Sequence, residues 1–284
     1  MSAVEFCGLQ LAHRVINGSG TFDAIAAQRV FGAALIRDFP FAAYVSKTIT
    51  LERKDGNPPP RLWEAAGGMI NSIGLPNKGV DGYLEEDLPQ LAQLPVPLIT
   101  NVMGSTGEEL AELVAICDCR QEIAAVELNV SCPNVKTGLD IGADPRQLEA
   151  VVGVCRARTR KPLIVKLTPN TADVPACAQA AQDGGADAVS LINTLRATAL
   201  GPGGGPWLGG GTGGLSGPAI RAVALAQVAA VTRRVTIPAI GMGGVQRAAH
   251  ARDLLDVGAA LVAVGSESFR DPMTARAIAE GLGE

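Results

Sequence analysis

Short apolar runs recur along the chain, and each is closed by a glycine or a polar residue. Runs of this length that are rich in β-branched residues predict β-strands. Eight such strands are predicted, at residues 15–18, 44–48, 97–102, 125–130, 163–168, 188–193, 237–242 and 261–265.

Longer segments that fit helices follow most of these strands. They lie at residues 106–120, 144–159, 171–183, 218–232, 246–257 and 273–279. Because eight strands alternate with helices, the pattern predicts an α/β fold, a closed (β/α)8 TIM barrel. The length of 284 residues fits one barrel with insertions, so we expect residues 1–284 to form a single domain.

Two stretches interrupt the alternation. Residues 49–94 include the turn-rich Asn57-Pro58-Pro59-Pro60 and predict a long insertion between the second and third strands. Residues 195–217 are dense in glycine and lie between the sixth and seventh strands. We interpret this second stretch as a mobile loop at the active face of the barrel.

The composition narrows the class of protein. Hydrophobic residues make up 47% of the chain and charged residues 18%, which favours a large core over disorder. The net charge is −4, and no run of Lys or Arg lies beside aromatic residues, so a nucleic-acid partner is disfavoured. No apolar stretch is long enough to span a bilayer and the N-terminus lacks a signal-peptide pattern, so we expect a cytoplasmic protein with no membrane contact.

The cysteines predict neither a disulfide framework nor a metal site. Six are scattered along a chain without a secretory signal. Cys117 and Cys119 have no second Cys or His pair that could complete a tetrahedral site, so we predict no bound metal.

The C-terminal ends of the predicted strands are polar or glycine-rich. They carry Asn17-Gly18-Ser19-Gly20, Lys47-Thr48, Asn101, Asn129, Lys166, Asn193-Thr194, Gly243-Gly244 and Gly265-Ser266. One such end could be a turn cap, but eight ends that converge on one face of a barrel predict an active site there.

Two features of these ends predict an anionic ligand. Glycines after the seventh and eighth strands lie where barrels commonly bind phosphate through bare backbone N–H groups, although Gly241-Met242-Gly243-Gly244 could also be a tight turn. Lys166 lies at the barrel mouth, where a desolvated ammonium group is costly without an anionic partner.

One segment resembles a known family. Asn129-Val130-Ser131-Cys132-Pro133-Asn134 is similar to the active-site segment of class 1 dihydroorotate dehydrogenases. Further matches occur in order along the chain, from residue 14 to about residue 271. They are Gly18-Ser19-Gly20-Thr21-Phe22, Lys47-Thr48, Asn71-Ser72-Ile73-Gly74-Leu75, Lys166-Leu167-Thr168-Pro169-Asn170, Asn193-Thr194, Gly213-Gly214-Leu215-Ser216-Gly217, Ile240-Gly241-Met242-Gly243-Gly244 and Val264-Gly265-Ser266.

The resemblance implies an FMN-dependent oxidation of dihydroorotate to orotate in pyrimidine biosynthesis. It implies FMN contacts from Ser19, Lys47, Thr48, Asn101, Asn129, Lys166, Ile192, Gly217, Gly243, Gly244, Gly265 and Ser266. It implies pyrimidine contacts from Lys47, Asn71, Ser72, Ile73, Gly74, Leu75, Asn129, Asn193 and Thr194. Cys132 would be the base that removes the C5 proton while hydride passes from C6 to the flavin.

Physical chemistry agrees with these roles. Amide side chains offer both donors and acceptors, which suit the edges of a pyrimidine dione. Lys166 near the flavin would stabilise charge that appears only as hydride arrives. A free thiol has a pKa of about 8.5, so a rate that depends on the Cys132 thiolate should rise with pH.

The motifs resemble the 1B subclass most, through Lys136-Thr137-Gly138, Gly142-Ala143-Asp144-Pro145 and Thr194. That resemblance implies a homodimeric core and a partner subunit with FAD and an iron–sulfur centre that passes electrons to NAD. Class 2 relatives use Ser as the base and carry an N-terminal membrane-associated extension, and neither feature is found here. Residues 200–207 depart from the family, which leaves the acceptor open between NAD, fumarate and others.

Three other functions remain open. Dihydropyrimidine dehydrogenase domains share the barrel, the flavin and the loop cysteine, but act on uracil and thymine. A non-catalytic phosphate-binding barrel would be colourless, whereas a flavoprotein is yellow. A tRNA-modifying flavin barrel conflicts with the acidic balance of the chain.

Overall fold

A computed structural model describes residues 3–131 and 141–284. Its strands are β1 (Val4–Phe6), β2 (Leu9–Leu11), β3 (Val15–Asn17), β4 (Tyr44–Val45), β5 (Leu62–Ala65), β6 (Gly68–Asn71), β7 (Leu98–Val102), β8 (Ile123–Asn129), β9 (Leu163–Lys166), β10 (Ala188–Leu191), β11 (Leu195–Ala197), β12 (Gly213–Ser216), β13 (Ala239–Met242) and β14 (Leu261–Val264).

The α-helices alternate with the longer strands. They are α1 (Ala24–Phe31), α2 (Ala33–Arg37), α3 (Gly79–Gly82), α4 (Leu88–Leu91), α5 (Gly107–Asp118), α6 (Pro145–Arg156), α7 (Val174–Asp183), α8 (Arg221–Thr232), α9 (Ala248–Asp256) and α10 (Thr274–Leu282). A π-helical turn, Tyr83–Asp87, joins α3 to α4. Short 3₁₀ turns occur at Ile141–Ala143, Pro218–Ile220 and Ser266–Phe269.

Local sequence fixes where several helices begin. The side chains of Asp23, Thr106, Asp144 and Asp173 accept hydrogen bonds from backbone N–H groups in the first turns of α1, α5, α6 and α7. These caps satisfy donors that have no partner inside the helix. Helices α6 and α7 also carry proline in the first turn, where its fixed φ and missing N–H are tolerated.

Eight parallel strands form one sheet in the order β3-β14-β13-β10-β9-β8-β7-β4. The order confirms the predicted (β/α)8 barrel, and each of its strands lies within or overlaps a predicted strand. The seam between β3 and β4 is joined by a hydrogen bond from Ala42 N to Val15 O (2.9 Å) and by the side chain of Asn17. The C-terminal ends of the strands therefore meet on one face, as the sequence predicted.

A hairpin covers the opposite end of the barrel. Strands β1 and β2 pair antiparallel, and Phe6 and Leu11 are buried. They belong to one apolar cluster with residues from the barrel strands, including Ile16, Val45, Ile99, Ala125, Ile164, Ala188 and Ile240. The interior of the barrel is thus packed below the active face rather than open.

A small antiparallel sheet covers the active face, in the order β11-β12-β6-β5. It joins the 49–94 insertion to the glycine-rich segment, because β12 pairs with β6. The expectation of a loop throughout residues 195–217 is therefore wrong, since β11 and β12 both lie within it.

Close packing explains why this strand pairing was hidden in a glycine-rich sequence. A Cβ on Gly213 would lie 2.3 Å from Asn71 O, and one on Gly214 would lie 1.9 Å from Thr194 Oγ1. By contrast, a Cβ on Gly203, Gly204 or Gly205 would meet nothing within 4 Å. Gly213 and Gly214 are thus needed for close packing and do not indicate a flexible linker.

No helix in the described part of the chain has the length and apolar character that a membrane span requires.

Candidate active site

A cavity of about 800 Å³ lies at the C-terminal ends of the barrel strands, under the small sheet. This volume falls within the range of small-molecule and cofactor sites. Its lining includes eleven of the predicted FMN contacts, namely Ser19, Lys47, Thr48, Asn129, Lys166, Ile192, Gly217, Gly243, Gly244, Gly265 and Ser266. Of the predicted pyrimidine contacts it includes Lys47, Asn71, Ile73, Leu75, Asn129, Asn193 and Thr194.

One end of the cavity is formed by bare backbone. Gly217, Gly243 and Gly244 have φ values of +94°, +134° and +68°, which favour glycine. A Cβ on Gly243 would lie 2.6 Å from Ala224 Cβ, and one on Gly244 would lie 2.9 Å from Gly217 O. Together with Gly265 and Ser266, these residues offer backbone N–H groups that can approach an anion closely.

Lys166 provides positive charge at the cavity wall. Its side chain is 7% exposed, and it stands on β9 in register with Asn129 on β8 and Ser190 on β10. Among residues 3–131 and 141–284, no carboxylate forms an ion pair with it. A buried ammonium group without such a partner fits an anionic ligand in the cavity.

Amide side chains surround another part of the cavity. Asn193 Nδ2 donates to Ser131 Oγ (3.1 Å), and Asn193 Oδ1 accepts from Thr194 N (2.9 Å). Asn71 Nδ2 donates to Gly214 O (3.2 Å) in the covering sheet. These contacts hold the amides at defined orientations, so the site presents both donors and acceptors to a polar ring.

Lys47 lies between two cavities. A second cavity of about 410 Å³ is also lined by Lys47, Thr48, Gly20 and Phe269. Lys47 is exposed and lines both cavities, so it can contact a ligand in either one.

Two residues of the predicted Asn71 to Leu75 turn do not line the cavity. Ser72 Oγ donates to Thr212 O (2.7 Å) and accepts from Asn57 Nδ2 (3.0 Å). Gly74 has φ of +72°, and a Cβ there would lie 2.4 Å from Asn57 N. Ser72 thus bonds to Asn57, Gly74 permits the close approach of Asn57, and Ile73 and Leu75 form the lining.

Asn101 is not in the cavity lining either. It is fully buried in the barrel interior, where its Nδ2 donates to the carboxylate of Glu127. Asn101 Oδ1 is buried and has no hydrogen-bond partner within residues 3–131 and 141–284. Asn101 was predicted as a site residue from its strand end, but Glu127 was not predicted. A single acidic residue inside an apolar strand is the signal that could have found it, because a buried carboxylate needs a specific partner.

Other lining residues were not among the predicted contacts. They are the apolar Leu62, Met69, Met103, Ile220, Met242 and Phe269 and the smaller Gly18, Gly20, Thr21, Ser131 and Ser216. Met103 and Met242 directly follow or end barrel strands, so their position at the active face could have been inferred from the strand ends.

Cys132, the predicted base, lies outside the described residues. Ser131, the residue before it, lines the cavity.

The other five cysteines are described and none of them forms a disulfide. Burial raises the pKa of the Cys117 and Cys155 thiols to about 12. The pKa of Cys7 is raised to about 11, mainly by burial and to a smaller extent by the charge of Asp187. The interpretation of Cys155 and Cys177 as core residues is confirmed, because both are buried in helices.

Within the described residues, no group of three or more His, Cys, Asp or Glu side chains is arranged to hold a metal ion.

Comparisons with known proteins identify the family. The model of the family described as dihydroorotate dehydrogenase matches residues 1–284. The chain is 45% identical over 281 residues to a dihydroorotate dehydrogenase B (NAD(+)) catalytic subunit from Pelobacter propionicus, covering 98% of this chain and 91% of that one. It is 44% identical over 282 residues to the protein of the same name from Geotalea uraniireducens, covering 99% and 91%.

A solved structure supports the fold. The crystal structure of DHODH from Eimeria tenella in complex with ferulenol superposes with a TM-score of 0.80 at 21% identity, covering 99% of this chain and 83% of that one. At this identity the likeness shows the barrel fold alone. The family model and the closely similar bacterial sequences go further: the chain belongs to the dihydroorotate dehydrogenase family.

Proposed function

We propose that this chain oxidises dihydroorotate to orotate with FMN, as the catalytic subunit of a dihydroorotate dehydrogenase that delivers electrons to NAD. The function belongs to pyrimidine biosynthesis. The observation that carries the proposal is the cavity at the active face, where a buried lysine, a glycine cradle and three asparagines lie together. The same residues lie in a chain that matches the family over its full length.

The residues present fit FMN. Gly217, Gly243, Gly244, Gly265 and Ser266 form a backbone cradle of the kind that binds a phosphate. The buried Lys166 lacks an ion-pair partner among the described residues and so suits the electron-rich edge of a flavin ring. We infer that Ser19, Lys47, Thr48, Asn129 and Ile192 complete the cofactor contacts.

The substrate site follows from the amides and Lys47. Dihydroorotate has alternating N–H and C=O groups and one carboxylate. Asn71, Asn129 and Asn193 can match the ring, and the Lys47 ammonium can pair with the carboxylate. The apolar side chains of Ile73 and Leu75 would exclude water from one face of the substrate.

The chemistry removes one proton and one hydride from the substrate to form the C5=C6 double bond. Bound FMN supplies the hydride acceptor for C6. Cys132 takes the proton from C5 as a thiolate and must return it to solvent before the next turnover. Lys166 favours the transfer because its positive charge stabilises the negative charge that the hydride brings to the site.

The electrons leave through a partner. The similar proteins from Pelobacter propionicus and Geotalea uraniireducens are named as NAD(+)-type catalytic subunits, which implies a second subunit. We propose that this subunit carries FAD and an iron–sulfur centre, since the six cysteines of this chain are not clustered and it has no dinucleotide fingerprint. We also propose a homodimeric core.

Anaerobic mixing tests the first half of the proposal. The purified chain should be yellow, and dihydroorotate should bleach the flavin absorbance whereas dihydrouracil should not. Reduction by dihydrouracil alone would identify a dihydropyrimidine dehydrogenase instead, and a colourless chain that takes up no FMN would reject a flavin enzyme. Reoxidation is then followed with NAD, fumarate and a quinone, with and without the partner subunit.

A further inference from the structure

Glu127 is a buried carboxylate in the middle of the barrel. It is 2% exposed and stands on β8, two residues before Asn129. Side chains two apart in a strand share a face, so Glu127 points into the barrel as Asn129 does, one step deeper. The proposed mechanism assigns no role to this buried carboxylate.

Both carboxylate oxygens accept hydrogen bonds from neutral groups. Oε1 accepts from Ser190 Oγ (2.7 Å), and Oε2 accepts from Asn101 Nδ2. Neither partner carries a charge, and no Lys, Arg or His of the described residues forms an ion pair with Glu127. These two donors hold both carboxylate oxygens without placing a positive charge beside them.

The carboxylate lies one register step deeper in the barrel than Lys166, because Glu127 pairs with Ile164 and Asn129 pairs with Lys166. Strand β9 separates β8 from β10, so the hydrogen bond from Ser190 to Glu127 crosses the interior face of β9. Lys166 stands on that face and is the register partner of Ser190. In a buried environment, two charges interact well beyond ion-pair distance because little water screens them. Glu127 therefore opposes the field that Lys166 exerts on the cavity.

Glu127 also fixes the orientation of Asn101. An ionised carboxylate can only accept hydrogen bonds, so the amide must turn its Nδ2 towards Glu127 and its Oδ1 away. That Oδ1 atom is buried and has no partner in the described residues. The amide thus offers an acceptor, and not a donor, to any group that approaches from its other side.

We propose that Glu127 is a positioning residue that lowers the reduction potential of the bound flavin. Its charge offsets part of the stabilisation that Lys166 gives to the reduced cofactor, and it holds Asn101 in one orientation. This rests on the proposed function, in which the cavity binds FMN. The consequence suits a catalytic subunit that passes electrons towards NAD, because NAD is a weak oxidant and a strongly stabilised reduced flavin could not reduce it.

Redox titration of the holoenzyme tests the proposal. Glu127→Gln keeps the size of the side chain and removes its charge. At a fixed solution potential we expect the ratio of reduced to oxidised flavin to be about tenfold higher in Glu127→Gln than in the wild type. This corresponds to a rise of about 30 mV in the reduction potential of a two-electron couple. If the variant loses flavin during purification, the dissociation constants of oxidised and reduced FMN are measured with FMN in excess. The ratio of these two constants should then change by the same factor of about ten between the wild type and the variant.

Two further variants separate charge from packing. Glu127→Asp keeps the charge, and Ser190→Ala removes one hydrogen bond without removing the charge, so both should stay near the wild-type potential. An unchanged potential in Glu127→Gln overturns the proposal, and so does an equal shift in Ser190→Ala. Failure of the proposed function looks different, because the wild-type chain itself would then bind no FMN or would not be reduced by dihydroorotate.

Discussion

The side chain of Asn17 takes the place of a backbone strand partner for Val45. Asn17 Nδ2 donates to Val45 O (2.8 Å), and Asn17 Oδ1 accepts from Val45 N (2.7 Å). Both residues are buried. This pair joins β3 to β4 at the seam of the barrel, directly below Ser19 and Lys47 in the cavity wall.

Replacement of Asn17 should therefore destabilise the fold. Asn17→Ala leaves the N–H and C=O groups of Val45 without partners, which costs about 2–4 kcal/mol in the free energy of unfolding. Urea denaturation of the holoprotein measures the loss, with Gln10→Ala on an exposed hairpin position as the control. A loss for Asn17→Ala no larger than that for Gln10→Ala would show that the seam does not depend on the side chain.

The sequence was sufficient for the barrel but not for its cover. The eight barrel strands are short apolar runs such as Leu163–Lys166 and Leu261–Val264, and burial on both faces makes such runs visible without any partner. Strands β11 and β12 have no such signal. Gly213 and Gly214 form a strand because their small size admits Asn71 and Thr194, and that contact is known only once the chain is folded.

The same division applies to the site. Lys47, Lys166 and the asparagines could be predicted because they end strands that meet on one face. Glu127 could not be assigned a partner, since its contacts to Asn101 and Ser190 join residues 26 and 63 positions away along the chain. Such contacts depend on which strands are neighbours in the sheet, and short sequence motifs that resemble a family do not show that order.

The covering sheet should control the substrate site through Gly214. In Gly214→Ala the new Cβ would lie 1.9 Å from Thr194 Oγ1, so Thr194 or strand β12 must move. Overpacking of this kind costs about 1–3 kcal/mol, and we expect KM for dihydroorotate to rise by about tenfold or more. Steady-state kinetics with the flavin content measured in parallel gives the result.

Gly203→Ala is the matched control, because it lies in the same segment and its Cβ would meet nothing within 4 Å. Its KM should equal that of the wild type. Equal KM values in the two variants would indicate that β12 does not contact the substrate site in the working enzyme.

Lys166 should matter for hydride transfer more than for folding. Lys166→Met removes the buried ammonium group, and loss of such an electrostatic contact costs about 10²–10³-fold in rate. Stopped-flow measurement of flavin reduction by dihydroorotate reports this step directly. Arg158→Met, at an exposed position, removes the same charge from the chain and should leave the rate unchanged. Similar rates for Lys166→Met and the wild type would exclude the role.

Cys132 should be required for reduction and not for cofactor binding. We expect Cys132→Ala to retain FMN and to be reduced by dihydroorotate slower by orders of magnitude, while the wild-type rate rises with pH as the thiolate forms. Cys119→Ala, at an exposed position, is the control and should keep the wild-type rate. Near-normal reduction of Cys132→Ala would rule out a base at this position.

Thiol reactivity gives an independent measurement of the same residue. Burial raises the pKa of Cys117 and Cys155 to about 12, so both are almost entirely protonated thiols at pH 8 and neither should react with iodoacetamide. Their thiolates form only as the pH approaches 12. Burial also raises the pKa of Cys7 and Cys177, so loss of activity at pH 8 should follow alkylation of Cys132, and orotate should protect against it. The Cys119→Ala variant must lose activity at the same rate as the wild type, because otherwise the loss reports the exposed thiol and not the base.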